Sequence, residues 1–403
     1  MDEEIIQFLD SNNYDVRISK NARWIDQKCT MDVLSVVSDC IMEYIKDNPK
    51  KEFTTKEIWY YDYTINNVQM IFKKPNPLKK AKNEYDKWFG QPIKLLGYSK
   101  ILTETKKNGK NYYTVNNERI LKYISQRDSN ALLFLKLYIE KVIKDSGLSK
   151  YFDDFFCKQN KDSYILLKEA FCNFTIMNTE INGKKECGRI FAKVLNPLAF
   201  YSNKRGTEKG RISKGKVTLD MLQYNRYNWR DSNKDKPKDV TRKEFENSNV
   251  NNNYTILDYK IQKAKKILRE FNNKYRNGYS EMPENGKYLK EGTMIHHIFP
   301  KADFPILADY LENLIVLTPT QHLAKAHPNG NTNYIDKNYQ YLILVCKIGI
   351  IKNNLLNIKE ETIYDFKCMI YVLNTGLSTE VFSNIKEMDF ESVVNYLDLF
   401  FAE

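Results

Sequence analysis

The four histidines of this 403-residue chain lie within 32 residues of one another. They are His296, His297, His322 and His327. Imidazole is the side chain that titrates nearest neutral pH, and it is the commonest metal ligand in proteins. A cluster that holds every histidine of the chain is therefore a candidate for metal binding or for general acid–base catalysis.

Two strands and a helix are predicted to position these histidines. Residues 293–299 favour a strand that ends at Pro300, and Leu314–Leu317 predicts a second, apolar strand. The sequence Thr-Pro-Thr-Gln at 318–321 is typical of a helix start, with threonine as the N-cap and glutamine three residues later. The order strand, loop, strand, helix therefore spans the cluster.

The histidines are expected to differ in role. His296 and His297 are adjacent on a strand and point to opposite faces, so one can hold a metal while the other meets a water. His322 lies in the first helical turn and can face back toward the first strand. His327 follows five residues later, which on an α-helix turns it about 140° away, and Pro328 disfavours helix at this point.

An asparagine completes the pattern. Asn313 opens the second strand sixteen residues after His297, and His322 follows nine residues after Asn313. This order of His-His, Asn and His resembles the HNH, or ββα-metal, endonuclease motif, over about 35 residues of the chain. The resemblance implies hydrolysis of phosphodiester bonds with the help of one divalent cation.

The resemblance also implies a role for each matching residue. His297 is expected to be the general base that takes a proton from the attacking water. Asn313 is expected to brace the loop and help orient that base, and His296 and His322 are expected to hold the cation. Mg²⁺ is the expected metal, although imidazole ligands also accept Mn²⁺ or another transition metal.

His327 is interpreted as a phosphate contact or a residue that ends the helix, and Lys301 as a phosphate contact or a solvated residue of the connecting loop. The five-residue gap after His322 is the reason that His327 is not assigned as a ligand. One alternative is a structural zinc site made of three histidines. That alternative contains no cysteine, and it gives no role to His297 or Asn313.

The charge of the chain indicates what it binds. Lysine and arginine number 63 against 51 acidic residues, for a net charge of +12. An excess of this size favours a polyanionic partner. Residues 360–403 hold nine acids and two bases, so this acidic tail is predicted to face away from that partner.

Membrane and secreted classes are disfavoured. No segment approaches the roughly 18 consecutive apolar residues of a spanning helix, and the acidic start Met-Asp-Glu-Glu is not followed by a signal-peptide core. The seven cysteines are scattered without a Cys-x-x-Cys pair, which suits a reducing compartment. The sequence predicts a cytoplasmic protein with no membrane partner.

Residues 51–125 resemble a winged helix-turn-helix in their pattern. Thr54 begins a capped helix, a lysine-rich helical stretch surrounds residues 77–89, and Asn108-Gly109 between two strand-like runs predicts a hairpin. In a winged helix, one helix enters the major groove and the hairpin contacts the backbone. Use of the same fold for protein docking is the alternative. The candidate DNA contacts are Lys79, Lys80, Lys106 and Lys107.

Residues 184–216 are the most basic stretch of the chain, with ten bases and two acids. Basic groups with tyrosines nearby fit contacts to phosphates and bases. A solvated loop region is the alternative. The candidate DNA contacts are Lys204, Arg205 and Arg211.

The sequence therefore predicts an α+β fold that is mostly helical. Residues 1–150 are expected to form a helical, winged-helix-like DNA-recognition domain, and residues 151–253 a basic central DNA-contacting region. Residues 254–403 are expected to form the ββα-metal nuclease domain with its flanking helices.

The chain as a whole resembles a type II restriction endonuclease. The phrases His-His-Ile-Phe-Pro-Lys and His-Pro-Asn-Gly-Asn-Thr carry that likeness. Separate reading and cutting parts are typical of type IIS enzymes, which cleave beside an asymmetric site. The resemblance implies double-stranded DNA as substrate and a cognate DNA methyltransferase as genetic partner. Because one such site cuts one strand, it also implies a transient homodimer on DNA or sequential nicking. The alternatives are a homing, nicking or defence nuclease, and a winged-helix DNA-binding regulator with an inactive HNH remnant.

Overall fold

The protein folds into two compact units, residues 1–245 (unit 1) and 246–403 (unit 2). The structure, a computed structural model, describes residues 2–49, 51–72, 78, 82–224, 250–288, 292–327, 335–357 and 359–402. The predicted α+β class is confirmed, since the chain is about 63% helical and its strands form small antiparallel sheets. The division predicted at 253/254 lies near the boundary between the units, and the one at 150/151 falls inside unit 1.

Unit 1 consists mostly of helices. They are α1 (Asp2–Asp10), α2 (Val16–Ser19), α3 (Met31–Asp47), α4 (Thr55–Tyr60), α5 (Asp62–Phe72), α6 (Lys82–Tyr98), α7 (Glu118–Gln126), α8 (Asp128–Asp145), α9 (Ser149–Lys158), α10 (Lys161–Asn178) and α11 (Lys184–Tyr201). Two antiparallel hairpins accompany them. Their strands are β1 (Leu102–Lys107), β2 (Lys110–Val115), β3 (Arg205–Glu208) and β4 (Arg211–Lys216).

The local signals of unit 1 form as predicted. The side chain of Thr54 accepts a hydrogen bond from the Glu57 N–H, and the Glu57 carboxylate accepts one from the Thr54 N–H at 2.8 Å. This reciprocal cap satisfies two backbone donors and starts α4. The β1–β2 hairpin turns at Asn108 (φ 49°) and Gly109 (φ 75°). Two positive φ angles are what a type I′ turn requires, and asparagine followed by glycine adopts them at low cost.

Unit 2 surrounds a third hairpin with long helices. The hairpin is followed by a short π-helix (Gln321–Ala326). The other elements are α12 (Val250–Arg276), β5 (Met294–His297), β6 (Leu314–Leu317), α13 (Lys337–Leu356), α14 (Phe366–Gly376) and α15 (Phe390–Ala402). The helices expected to flank the histidine motif within residues 254–403 are present as α12 before the hairpin and α13, α14 and α15 after it.

The core of unit 2 holds the hairpin in place. All four residues of β6 are buried, which explains why this strand is apolar on both faces. Leu268 and Phe271 of α12, Ile343 of α13 and Leu373 of α14 belong to the same buried cluster. The histidine-bearing strand β5 is therefore positioned by a strand that helices enclose.

In the part of the chain that the structure describes, no helix is both long enough and apolar enough to cross a membrane.

Candidate functional site

The β5–β6 hairpin fixes the direction of the two adjacent histidines. His296 pairs with Ile315 and His297 with Leu314 in antiparallel register. The second strand has the predicted limits, and the first is shorter than the predicted 293–299. Neighbouring side chains of a strand point to opposite faces. Accordingly, His296 is buried and His297 is partly exposed.

Three imidazoles meet on the buried face of β5. The ring centroids of His296, His322 and His327 are 5.0–5.1 Å apart in each pair. One ring nitrogen from each lies within 4.8 Å of the others, so small ring rotations bring three nitrogens onto a common ion. Within the described residues, no carboxylate or thiol joins this group.

The helix after β6 is not the α-helix that the sequence predicts. It begins as predicted, because the Thr318 hydroxyl accepts a hydrogen bond from the Gln321 N–H at 3.2 Å, and the Gln321 side-chain oxygen accepts one from the Thr318 N–H at 3.0 Å. It continues as a π-helix, in which the His327 N–H donates to the His322 carbonyl at 3.2 Å. Residues five apart share one side of a π turn. The prediction that His327 points away from His322 is therefore wrong.

The buried nitrogens of this histidine cluster fit a metal. Both ring nitrogens of His296, and Nδ1 of His322, are buried and have no hydrogen-bond partner among the described residues. A buried polar atom without a partner is costly, and a bound cation would offset that cost. Burial and the neighbouring His322 lower the pKa of His296 to about 3. Burial, with His327 nearby, also lowers the pKa of His322. These two rings are therefore neutral and able to ligate near neutral pH.

His297 is oriented by the loop that joins the strands. Its Nε2 lies 3.1 Å from the carbonyl oxygen of Ala308. Because a carbonyl oxygen can only accept, the proton of the neutral ring resides on Nε2, and Nδ1 keeps its lone pair. Burial, together with the charge of Lys265, lowers the pKa of His297 to about 4. The arrangement can accept a proton from a water at Nδ1.

Asn313 ties together both ends of that loop. Its fully buried side chain accepts from the Phe299 N–H at 2.8 Å and donates to the Phe299 carbonyl at 3.0 Å. The same amide donates to the Leu307 carbonyl at 3.1 Å. Leu307 precedes Ala308, the residue whose carbonyl holds His297. Asn313 therefore positions the loop on which the orientation of His297 depends.

Glu281 forms hydrogen bonds along the outer edge of β6, where a third strand would otherwise pair. The N–H of Glu281 donates to the Val316 carbonyl at 2.8 Å, and its carboxylate accepts from the Val316 N–H at 2.8 Å. The ammonium of Lys347 lies 3.7 Å from this carboxylate and donates to the Tyr364 hydroxyl at 2.7 Å. These contacts satisfy the outer edge of β6 and keep the hairpin fixed.

Sequence reasoning missed the contribution of α12 to this site. Lys265 adds to the effect of burial on the pKa of both His297 and His322. Arg269 donates to the Thr293 carbonyl at 2.8 Å, just before β5. The four-residue spacing of Lys265 and Arg269 puts both on one side of the helix. Nothing in the sequence indicates that this side meets the hairpin.

Lys301, a predicted phosphate contact, lies near His297. Its ammonium is 2.6 Å from the carboxylate of Asp258 on α12. Its charge also contributes to the low pKa of His297, after burial and Lys265. A phosphate that reaches Lys301 must share it with Asp258.

The predicted DNA contacts near the first hairpin differ in setting. Lys79 and Lys80 lie outside the described residues. Lys106 is exposed near the tip of the β1–β2 hairpin. The ammonium of Lys107 lies 2.6 Å from the Glu52 carboxylate, so its charge is partly neutralised.

The three DNA contacts predicted in the central region differ in their exposure and hydrogen bonding. Lys204 is exposed, whereas the guanidinium of Arg205 donates to the carbonyl of Gln159. Arg211 is exposed and lines a cleft between α10 and α11.

Comparison of the chain with protein-family models, with curated proteins and with solved structures finds no match.

Proposed function

We propose that this protein is a divalent-metal endonuclease that hydrolyses phosphodiester bonds of double-stranded DNA, with a ββα-metal site at β5, β6 and the π-helix. One observation carries the proposal. Two adjacent histidines on opposite faces of β5 have separate environments, His296 among imidazoles and His297 against the Ala308 carbonyl. Metal-assisted hydrolysis needs this separation of a ligand from a base.

The residues of the chain then act as follows. His297 takes the proton of the attacking water at Nδ1, and the Ala308 carbonyl holds the imidazolium that forms. Asn313 is a positioning residue that acts through the loop. When held by the three imidazoles, a divalent cation supplies the charge that stabilises the phosphate and the departing oxygen in the transition state.

The types of ligand atom at the site indicate which metal it would prefer. Imidazole nitrogens suit Zn²⁺, Ni²⁺ and other transition metals, whereas Mg²⁺ prefers carboxylate, carbonyl and water oxygens. Three imidazoles without a carboxylate therefore favour a transition metal over the Mg²⁺ predicted from the resemblance. Three protein ligands are typical of catalytic zinc sites, and structural zinc sites have four. The three candidate ligands found within the described residues therefore also disfavour the structural-zinc alternative.

We also propose that the protein is a type II restriction endonuclease that forms a transient homodimer on DNA. Its genetic partner would be a cognate DNA methyltransferase. Site-specific cleavage needs a DNA-reading element, and the β1–β2 hairpin is the candidate wing. Phe53 forms an isolated antiparallel bridge with Tyr113 of β2, which adds a third extended segment beside the hairpin. The hairpin and the helices before it are the features of unit 1 that support a winged-helix interpretation.

The test is incubation of the purified protein with unmethylated plasmid DNA under Mg²⁺, Mn²⁺, Co²⁺, Ni²⁺ or Zn²⁺, each with and without excess chelator. We expect discrete fragments that require a metal and disappear in the His297→Ala variant. Nicked circles without fragments would support a nicking enzyme instead. DNA binding without cleavage under every metal would overturn the proposal in favour of a DNA-binding regulator.

A further inference from the structure

A second concave surface lies in unit 1. It is a cleft of about 1060 Å³, enclosed by α10, α11 and the turn of the β3–β4 hairpin. Six of its lining residues are basic, and Glu169 is the one acidic residue in its described lining. The basic residues are Lys161, Lys168, Lys184, Lys185, Arg189 and Arg211.

Within the described residues, little of this charge is neutralised by carboxylates. Lys168 donates to the Gly210 carbonyl at 2.7 Å, and its ammonium lies over the Tyr164 ring, 5.9 Å from the centroid, so it has no carboxylate partner there. For the other five, no ion pair or side-chain hydrogen bond to any described residue is present. Positive charge gathered in a concave surface with protein walls focuses a strong potential. Such a surface attracts an anion of matching extent.

The framework under these charges is rigid. The Tyr164 hydroxyl of α10 lies 2.6 Å from the Thr207 hydroxyl of β3. The Asn196 side chain of α11 donates to the Thr207 carbonyl at 3.0 Å and accepts from the Thr207 N–H at 2.8 Å. These bonds fasten the hairpin to both helices. The cleft is therefore formed before any ligand arrives.

The lining indicates a backbone rather than a base as ligand. Tyr164, its aromatic residue, is buried and has its hydroxyl engaged, so its ring offers no stacking surface. Gly188 lines the cleft within α11, and a Cβ there would meet nothing within 4 Å. A glycine inside a helix costs about 1 kcal/mol relative to alanine. Here no packing explains it, and its absent side chain leaves room for a ligand against α11.

We propose that this cleft binds the phosphodiester backbone of the DNA substrate without reading its sequence, an inference that rests on the proposed function. Six cations from two helices and a turn, against one carboxylate in the described lining, carry more charge than one phosphate group can neutralise, which favours a polymer of phosphates. Contacts of this kind position a duplex and dominate its affinity, while base contacts elsewhere supply specificity. Lys161 and Lys168 join the DNA-contacting residues although they lie outside residues 184–216.

The test uses the Lys184→Gln/Lys185→Gln double variant. Both side chains are exposed and stand at the start of α11, so their removal leaves the framework intact. The control is Lys144→Gln/Lys150→Gln, two exposed lysines of unit 1 outside the cleft. Binding of a fluorescent DNA duplex is measured by anisotropy over a range of salt concentrations, with chelator present so that no cleavage occurs. Metal-dependent plasmid cleavage is measured separately at saturating DNA.

We expect the cleft variant to bind more weakly, with a slope of log K against log salt that is shallower by about 1.8, since each lost phosphate contact removes about 0.9. The control should match the unmodified protein. Equal slopes in the two variants would overturn the cleft, even if the protein cleaves DNA normally. A cleft-dependent slope without cleavage under any metal would support the cleft and overturn the endonuclease. Tighter cleft-dependent binding of an RNA duplex than of DNA would overturn the DNA assignment.

Discussion

At the histidine site of unit 2, the side chains that could carry out chemistry are largely buried and held in place, whereas most of the basic side chains that line the cleft of unit 1 are exposed. At the histidine site, His296 is enclosed by imidazoles and His297 faces a backbone carbonyl. In the cleft, Lys184 and Arg189 are exposed on one helix. Proton transfer requires atoms placed within fractions of an ångström, whereas attraction of a polyanion requires charge in roughly the right place. The two regions match these different demands.

The largest effect should follow from removing the base. We expect His297→Ala to lower the single-turnover rate of cleavage by about 10²–10⁴-fold, while metal affinity measured by calorimetry stays the same. The cleft variant should instead keep its rate at saturating DNA. An unchanged cleavage rate in His297→Ala would show that another group takes the proton.

The second-largest effect is expected at His327, the residue that the π-helix brings to the histidine cluster. We expect His327→Ala to weaken metal binding by more than about tenfold, since loss of a direct ligand should cost at least as much as loss of a supporting contact. Cleavage should recover in part at high metal concentration. If His327 contacts phosphate only, metal affinity will be unchanged and the KM for DNA will rise. His322→Ala serves as the reference, because both readings make His322 a ligand.

A smaller effect should follow at Asn313. Asn313→Asp keeps an acceptor for the Phe299 N–H but loses the donor to the Phe299 and Leu307 carbonyls. We expect the cleavage rate to fall by about 10–100-fold, with metal affinity retained, because the loop that orients His297 loosens. Thermal unfolding of the metal-free protein checks that the variant is folded. Equal losses of metal affinity and rate would contradict a role confined to the base.

Two glycines give a comparison of stability. A Cβ on Gly376, at the end of α14, would overlap the ring of Phe299, whereas a Cβ on Gly188 in the cleft meets nothing within 4 Å. We expect Gly376→Ala to destabilise the fold by about 1–3 kcal/mol and Gly188→Ala to stabilise it by up to about 1 kcal/mol. Chemical denaturation measures both. Similar values at the two sites would remove the distinction between a tightly packed site and an open cleft.

The smallest effect concerns the candidate wing. Lys106→Gln should make the salt slope of DNA binding shallower by about 0.9, the effect of one phosphate contact. Lys107→Gln should do less, because Lys107 already pairs with Glu52. A slope unchanged by both would remove the hairpin from the DNA interface, and Lys144→Gln provides the baseline.

Local signals explain how much could be predicted from the sequence. The limits of β6, the cap at Thr318 and the turn at Asn108 depend on residues within a few positions of each other, and these predictions are confirmed. The π-helix could not be predicted, because five-residue hydrogen bonding leaves no compositional signal. The π-helix brings His327 beside His296 and His322.

Contacts between segments that are far apart in the chain could not be predicted either, because no local sequence pattern encodes them. Lys265 influences His297 because α12 packs beside the hairpin. The carbonyl of Ala308 has no side-chain signature at all. Lys161 shares a cleft with Arg211 only because the β3–β4 hairpin is fastened to α10.

Residues 295–298, which begin within β5 and end just after it, read Ile-His-His-Ile, the same in both directions. A slip of the hairpin by one residue would therefore exchange the faces of the two histidines and still leave one isoleucine and one histidine on each face. Nor does β6, apolar throughout, distinguish the faces. The register of the hairpin is fixed by residues outside β5: Asn313, which precedes β6, and Glu281, which bonds to the outer edge of β6. Asn313 and Glu281, which have neither of the proposed roles of ligand and base, therefore help determine which histidine faces the imidazole cluster and which faces the Ala308 carbonyl.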